Sequence, residues 1–284
     1  MHPAFSPLTV PAYAKLNLTL DLTRRLPDGY HAIHTVMQTV SLANDVTLSP
    51  GDGLKLICDA PGVPADARNT AFKAAQFFCD AIGETPAVTV AIRKRIPDQA
   101  GLAGGSADAA AVLRGLNQIY GFPLDMPELL KIALKIGADV PFCLTGGTHL
   151  CLNKGEILSR LEHIPFFVTI AKPKTGTSTA EAFRAFDSGA QPDHPDTDLF
   201  LYHYAAGDPD EAFRYAGNVF EQLAPVPEGE MIKRTMYDRG ALYAAMSGSG
   251  SAFFGLFTTR EQSLAAADAL SSAVSFTAAC ETVG

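Results

Sequence analysis

Pro97-Asp98-Gln99-Ala100-Gly101-Leu102-Ala103-Gly104-Gly105-Ser106-Ala107, followed by an alanine-rich run to Ile119, is the stretch on which the reading of this chain turns. Gly101, Gly104 and Gly105 lack the Cβ atoms that would keep a backbone from wrapping a polyphosphate. A helix predicted from Ser106 to Ile119 presents unpaired N–H groups and the positive end of its dipole just behind them. Ser106 can cap that helix or donate to a phosphate. Glycine richness alone fits a tight strand–helix turn as well as it fits an anion cradle. The segment is not a Walker A loop, since no Gly-Lys pair occurs anywhere in the chain, nor is it GxGxxG. The HRD and DFG elements of protein kinases are absent too. Asp108, placed in the first helical turn, suits the dipole. A carboxylate so near phosphates would repel them unless a metal or an outward orientation intervened.

Upstream, residues 13–22 alternate Ala14, Leu16, Leu18 and Leu20 with Lys15, Asn17, Thr19 and Asp21. That period of two predicts a half-buried strand with Lys15 and Asn17 on one face. Pro27-Asp28-Gly29 is turn chemistry, and a second strand is expected over 32–41. Shorter strands are expected at 46–48, 54–58 and 87–93. Between the last two, Asn69 caps a helical pattern that stops at Gly83. Downstream of the glycine-rich segment we expect a helix over 127–136 ending at Gly137. Strand-like 149–152 and the turn Asn153–Gly155 then mark a boundary, giving domains 1–155 and 156–284. The second half reads as a strand at 166–171, helices at 178–186, 198–206, 210–223 and 228–239, paired strands at 242–246 and 252–257, a helix at 260–272 and a strand near Phe276. Residues 188–195 read as an exposed loop. Strands and helices that mix without regular alternation predict two α+β halves over a doubly wound sheet.

The bulk numbers narrow the function. A length of 284 residues suits one large domain or two moderate ones. A net charge of -8 argues against a nucleic-acid groove, while a few local cations and backbone N–H groups still allow a small anionic ligand. The N-terminus lacks the charged start and apolar core of a signal peptide. The uncharged run between Arg239 and Arg260 is broken by Gly240, Gly248, Gly250 and Gly255, as in a buried strand–loop–strand and unlike a membrane span. Five scattered cysteines without CxxC spacing point to reduced thiols in a cytoplasmic protein. His31 and His34 fall on opposite faces of a strand, which discounts a metal site there.

Two further clusters carry potential chemistry. In Gly137-Ala138-Asp139-Val140-Pro141-Phe142, a carboxylate stands between a helix stop and a proline, suited to proton or charge work or simply to a turn. In Met246-Ser247-Gly248-Ser249-Gly250-Ser251, a small-residue loop between strands either approaches a ligand closely or closes a hairpin.

Taken in order, the strand around Lys15, the loop 97–107 and the loop 246–251 resemble the three motifs of the GHMP kinase superfamily. The elements Ala14-Lys15-Leu16-Asn17-Leu18, Asp28-Gly29-Tyr30-His31, Gly101-Leu102-Ala103-Gly104-Gly105-Ser106 and Gly137–Phe142 are similar to its branch acting on a CDP-alcohol, CDP-methylerythritol. The likeness is weakest over 187–227. It implies a two-domain α+β fold: an N-terminal ribosomal-protein-S5-domain-2-like ATP domain and a C-terminal ferredoxin-like α/β sandwich. It also implies ATP with Mg²⁺, ligands of the metal unknown, in a monomer or homodimer. Pro97, Asp98, Gln99, Ala100, Gly101, Leu102, Ala103, Gly104, Gly105, Ser106 and Ala107 would bind the nucleotide. The branch often has two serines where this chain has Ser106-Ala107, so one hydroxyl contact is lost and a tuned nucleotide affinity is expected. Lys15 would lie beside Asp139, which either accepts the acceptor's hydroxyl proton or orients the nucleophile. Asn17 would position the acceptor, Tyr30 would stack on cytosine, His31 would bond its edge, and Thr179 and Phe183 would close the other side. A homoserine or mevalonate-pathway kinase, or a non-catalytic nucleotide sensor, is the alternative; the DGYH element favours the cytidyl acceptor, and retention of Lys15 and Asp139 favours catalysis.

Overall fold

The computed structural model describes residues 5–27 and 29–284, apart from the side chain of Thr179. In chain order the elements are β1 (Leu8–Arg25), β2 (His31–Pro50), β3 (Lys55–Cys58), α1 (Thr70–Ile82), β4 (Val88–Arg93), α2 (Gly104–Ile119), α3 (Met126–Ile136) and α4 (Val140–Thr145). There follow β5 (Thr148–Asn153), β6 (Ile157–Arg160), β7 (Phe167–Lys172), α5 (Thr179–Asp187), α6 (Thr197–Ala205), α7 (Pro209–Ala212) and α8 (Phe220–Leu223). The chain closes with α9 (Gly229–Asp238), β8 (Tyr243–Met246), β9 (Phe253–Phe257), α10 (Arg260–Leu270) and β10 (Phe276–Glu281).

Two compact units result, and they do not follow a single cut at residue 155. Of the described residues, the first gathers 5–14, 43–96 and 103–145; the second gathers 15–27, 29–42, 97–102 and 146–284. The reason is the length of β1 and β2, each of which contributes residues to both units.

In the first unit the end of β2 pairs antiparallel with β4, Asp45 opposite Arg93, and β3 joins β4 in parallel. The expected strand at 46–48 is thus the far end of β2. Helices α1 to α4 pack together here. Asn69 caps α1 through its side-chain oxygen, which accepts from Ala71 N at 2.9 Å, and Gly83 ends the helix in the left-handed region. Helix α2 buries Ala107, Ala109, Ala110, Ala111, Val112, Leu113 and Leu116. Its small side chains let it lie close to its neighbours. At Gly115 a Cβ would stand 2.5 Å from Leu48 Cδ1, so only glycine fits where α2 crosses β2. Asp125 and Glu128 form a capping box at the start of α3.

In the second unit the early part of β2 pairs with β5, and β5 with β6, both antiparallel. A separate sheet runs β10-β7-β9-β8, antiparallel throughout. That order, with helices between β7 and β8 and α10 between β9 and β10, is the split β-α-β arrangement of ferredoxin-like sandwiches. The doubly wound sheet expected from the sequence is therefore corrected: β3 and β4 pair in parallel, while β2–β4, β2–β5, β5–β6 and the whole second sheet pair antiparallel. Strands β8 and β9 are buried along their whole length. Their inner side chains join Phe220, Ile232, Met236, Ala266 and Leu270 in one core with Leu20 and Leu22 of β1. Burying each large aliphatic or aromatic side chain contributes about 1.5–3 kcal/mol.

Two other expectations change. The helix expected over 210–223 is broken between α7 and α8, because residues 217–219 lie along β1: Leu20 N donates to Gly217 O at 2.8 Å and Val219 N to Leu20 O at 3.1 Å. The polar face of β1 is not exposed either, since Lys15, Asn17, Thr19 and Asp21 are all buried. Among the described residues no helix is long and apolar enough to cross a membrane.

Candidate active site

A buried lysine needs partners, and Lys15, only 4% exposed, has them along its own strand face. Its Nζ donates to Asn17 Oδ1 at 2.6 Å; Asn17 Nδ2 donates to Thr35 Oγ1 at 2.9 Å; Thr35 Oγ1 donates to Thr19 O at 2.6 Å. This chain fixes the amide orientation of Asn17. It leaves the second lone pair of Oδ1 and the second N–H of Nδ2 for a ligand.

The first half of the glycine-rich loop is held in the same unit, by the loop 246–251 and by β1. Lys15 N donates to Leu102 O at 3.2 Å and Ala252 N to Ala100 O at 3.1 Å. Ser247 Oγ donates to Gly101 O at 3.0 Å. Gly101 has φ +73°, and a Cβ there would stand 1.9 Å from Ser247 O, so two backbones meet with nothing between them. A Cβ on Gly248 would lie 3.3 Å from Lys15 Nζ, which sets the lysine head against this junction. Ala100 and Leu102 anchor the loop with buried side chains, while Asp98 and Gln99 are exposed. Gln99, Gly101 and Ala103 all have positive φ (50°, 73° and 56°), alternating left-handed residues of the kind found in anion-binding backbone nests. For Gln99 and Ala103 that conformation costs roughly 1–2 kcal/mol each.

The second half of the loop opens α2 in the first unit. The helix begins at Gly104, two residues before the expected Ser106, behind Ala103, which offers no side-chain cap. Ser106 is therefore inside the first turn and is not the cap. The N–H groups of Gly104, Gly105 and Ser106 belong to the turn that has no intrahelical acceptor. Ala107 departs from its assigned role: its N–H closes the helix onto Ala103 O at 2.9 Å and its methyl is buried, so it packs and offers no donor to a nucleotide.

Asp108 also resolves. Because α2 starts early, this carboxylate falls past the first turn and points inward. Asn44 Nδ2 donates to Oδ1 at 2.7 Å and Lys94 Nζ to Oδ2 at 3.1 Å. Asn44 Oδ1 in turn accepts from the N–H groups of Arg95 and Ile96, each at 2.8 Å. The repulsion that Asp108 threatened is thus cancelled by a buried cation. Neither Lys94 nor Asn44 stood in any motif of the sequence, and no local signal marked them.

Asp139 sits half-buried between α3 and α4, where its carbonyl accepts from Cys143 N at 3.0 Å. It belongs to the first unit and Lys15 to the second.

Around the start of β2, Tyr30 is 60% exposed, and Lys154 Nζ stands 4.4 Å from its ring centroid. His31 is held on two sides. Its ring stacks on Phe183 at 4.7 Å and 18°, and its Nε2 lies 2.7 Å from Asp187 Oδ1. Phe183 thus packs against the imidazole of His31. Asp187, at the end of α5, was not anticipated; a lone carboxylate before Ser188 carries no sequence signature. Asp28, in the same turn, lies outside the described residues. So does the side chain of Thr179, whose backbone begins α5.

A lysine at a glycine-loop junction, a loop that becomes a helix start, and a ferredoxin-like second half define the class of small-molecule kinases with the GHMP architecture. The family models agree: GHMP kinases N terminal domain matches residues 69–147 and GHMP kinases C terminal matches 206–275. A 4-diphosphocytidyl-2-C-methyl-D-erythritol kinase of Caldicellulosiruptor saccharolyticus is 40% identical over 264 residues, 91% of each chain. One from Brevibacillus brevis is 43% identical over 254 residues, 88% of this chain and 87% of its own. A crystal structure of 4-(cytidine 5'-diphospho)-2C-methyl-D-erythritol kinase superimposes with a TM-score of 0.81 at 32% identity, covering 98% of this chain and 100% of that one. This chain belongs to the 4-diphosphocytidyl-2-C-methyl-D-erythritol kinase family of GHMP kinases, ATP-dependent enzymes that phosphorylate a small molecule.

Proposed function

We propose that this enzyme transfers the γ-phosphoryl group of ATP to the 2-hydroxyl of 4-(cytidine 5'-diphospho)-2-C-methyl-D-erythritol, in non-mevalonate isoprenoid precursor biosynthesis. The observation that carries the chemistry is the buried chain Lys15–Asn17–Thr35, with the lysine head against the Gly101–Ser247–Gly248 junction. Phosphoryl transfer asks the protein for positioning and for charge stabilisation more than for covalent chemistry. Lys15 supplies positive charge to the transferring group from a site where water competes little. Asn17, oriented by Thr35, spends its remaining donor and acceptor on the acceptor alcohol. Asp139 takes the proton of the 2-hydroxyl as its oxygen bonds to the γ-phosphorus and the bond to the β-phosphate oxygen breaks, releasing ADP. The N–H groups of 104–106 hold phosphate oxygens.

Tyr30 offers an exposed face to cytosine. His31 bonds the edge of the base, and Asp187, 2.7 Å from its Nε2, holds the ring in place for that contact.

Among the described residues no three His, Cys, Asp or Glu side chains cluster as a metal cage. The Ser106 hydroxyl, an oxygen donor of the kind Mg²⁺ takes, would hold a Mg²⁺ ion that arrives with ATP, and the ion would supply positive charge to the phosphates. We place the enzyme in the cytoplasm, where thiols such as its five scattered cysteines stay reduced. ADP release from purified protein with a panel of acceptors tests the reading. Turnover is expected on the CDP-alcohol; turnover on homoserine or mevalonate in its absence overturns the substrate assignment.

A further inference from the structure

Between α7 and α8, where a continuous helix was expected, the chain places Asn218 against the loop 246–251. Asn218 is 6% exposed, and both hydrogens of its amide are used: Nδ2 donates to Met246 O at 2.7 Å and to Gly248 O at 2.8 Å. Its Oδ1 accepts from Phe220 N at 3.0 Å, which fixes the amide the right way round. Glu221 completes the hold. Its Oε1 accepts from Met246 N at 2.7 Å and its Oε2 from Lys233 Nζ at 2.7 Å. Both flanking peptides of Asn218 are tied to Leu20 of β1, five residues after the buried Lys15 in the sequence. The same loop donates to Gly101 O through Ser247, and its Gly248 borders Lys15 Nζ.

We infer that Asn218 is a positioning residue for phosphoryl transfer, whose amide clamps the Met246 and Gly248 carbonyls and so sets the Ser247–Gly248 backbone against Gly101 and Lys15. The inference rests on the proposed roles of Lys15 beside the transferring group and of the glycine-rich loop at the nucleotide, both of which this junction holds. A side chain that only filled space would not need two donors on two carbonyls of one loop. The chain leaves the helix after Ala212 and resumes one only at Phe220, and the stretch between brings the amide to this place. A slip of about 1 Å at such a junction is enough to cost roughly 10²-fold in rate.

Asn218→Asp tests this with almost no change of shape. It keeps the acceptor for Phe220 N and replaces both donors by a carboxylate oxygen facing two carbonyls. Gln222→Ala is the comparison. Gln222 bonds the backbone of Asp193 on both sides, through Oε1 and Nε2, so its loss weakens the same segment without removing the Asn218 donors. Full-length variants are compared by thermal unfolding, by ADP affinity measured calorimetrically with Mg²⁺, and by kcat and both KM values. For Asn218→Asp we expect ADP affinity to fall at least tenfold and kcat about thirtyfold or more, with the acceptor KM within twofold. For Gln222→Ala we expect a lower Tm with kcat and ADP affinity unchanged. If Asn218→Asp only lowers Tm, as Gln222→Ala does, the clamp is structural and the inference is overturned. If Asn218→Asp fails to fold, Thr177→Val, which removes the donor to Ser249 O of the same loop at 2.8 Å, must reproduce the loss of ADP affinity, or the inference falls. The calorimetric readout needs no acceptor, so a wrong acceptor assignment shows as a silent wild type in turnover and leaves this test intact.

Discussion

Gly101→Ala is the sharpest test of the site geometry. The residue has φ +73°, which costs an alanine roughly 1–2 kcal/mol. Its new Cβ would stand 1.9 Å from Ser247 O and 2.8 Å from Ser247 C. Ordinary contact begins at 3.4 Å, so about 1.5 Å must be opened between two backbones, with no flexible side chain to yield. Overpacking of that kind adds about 1–3 kcal/mol. The total, about 2–5 kcal/mol, corresponds to a fall in Tm of about 4–20 °C at roughly 2–4 °C per kcal/mol, the scale for large domains. Because the displaced atoms belong to the junction beside Lys15, kcat/KM for ATP should also fall about 10²-fold. Gly83→Ala supplies the reference. Gly83 has φ +71° at the end of α1, with nothing within 4 Å of an added Cβ, so it carries the conformational cost alone. Thermal unfolding and steady-state kinetics on both variants separate the two contributions. If Gly101→Ala matches Gly83→Ala in both readouts, the close approach of Gly101 and Ser247 is not what holds the loop.

Four further outcomes are expected. Asp139→Asn should lower kcat at least ~10²-fold, as loss of a positioned acid–base group does; near-normal turnover removes Asp139 from the mechanism. Tyr30→Ala should raise KM for the cytidyl acceptor while leaving KM for ATP within twofold, and equal rises in both contradict its stacking on cytosine. Asp108→Ala strips Lys94 and Asn44 of the carboxylate that both donate to, in a place where the lysine side chain is 11% exposed. Breaking such a buried pair costs about 3–5 kcal/mol, and a loss below 1 kcal/mol by chemical denaturation sinks that account. Stability should also depend on mild acid. Burial, aided by the Arg160 cation, pushes the His149 pKa below its usual 6.5, and burial does the same for His163. Groups depressed in this way stay neutral in the folded state while the unfolded chain takes up their protons. Their contribution is therefore complete above about pH 6.5 and is lost as pH falls toward the folded pKa values. Tm measured from pH 7.5 to 5.5 should drop, and should drop less in His149→Gln; equal slopes refute the assignment.

The local elements were legible because their signals are local. Asn69 and Gly83 mark the ends of α1, alternation marks β1, and the glycines ahead of an alanine-rich run mark α2; each follows from rotamer, dipole or steric preferences of a few neighbouring residues. The pairing of Lys15 with Asn17 followed from the same period of two. Where the sequence misled, long-range contact had overridden local preference. The polar face of β1 alternates as an exposed face would, yet it is buried, because its side chains bond one another and Thr35. The pattern over 210–223 is helical, yet residues 217–219 leave the helix to bond β1. Asp108 looked like a hazard to phosphates until Lys94 and Asn44, 14 and 64 residues away in the chain, turned it inward.

Sequence alone supplied the candidates for the site, since the glycine-rich loop, Lys15, Asp139 and the Tyr30–His31 pair carry the GHMP resemblance as residue types at fixed spacing, and the roles proposed for them rest on it. Tertiary structure alone decided how they are held: that Phe183 and Asp187 grip His31, that Ala107 packs instead of binding, and that Asn218 fastens the loop 246–251. Spacing along a chain encodes what a residue can do, but a hydrogen bond between positions 218 and 248 depends on a fold that no short window contains.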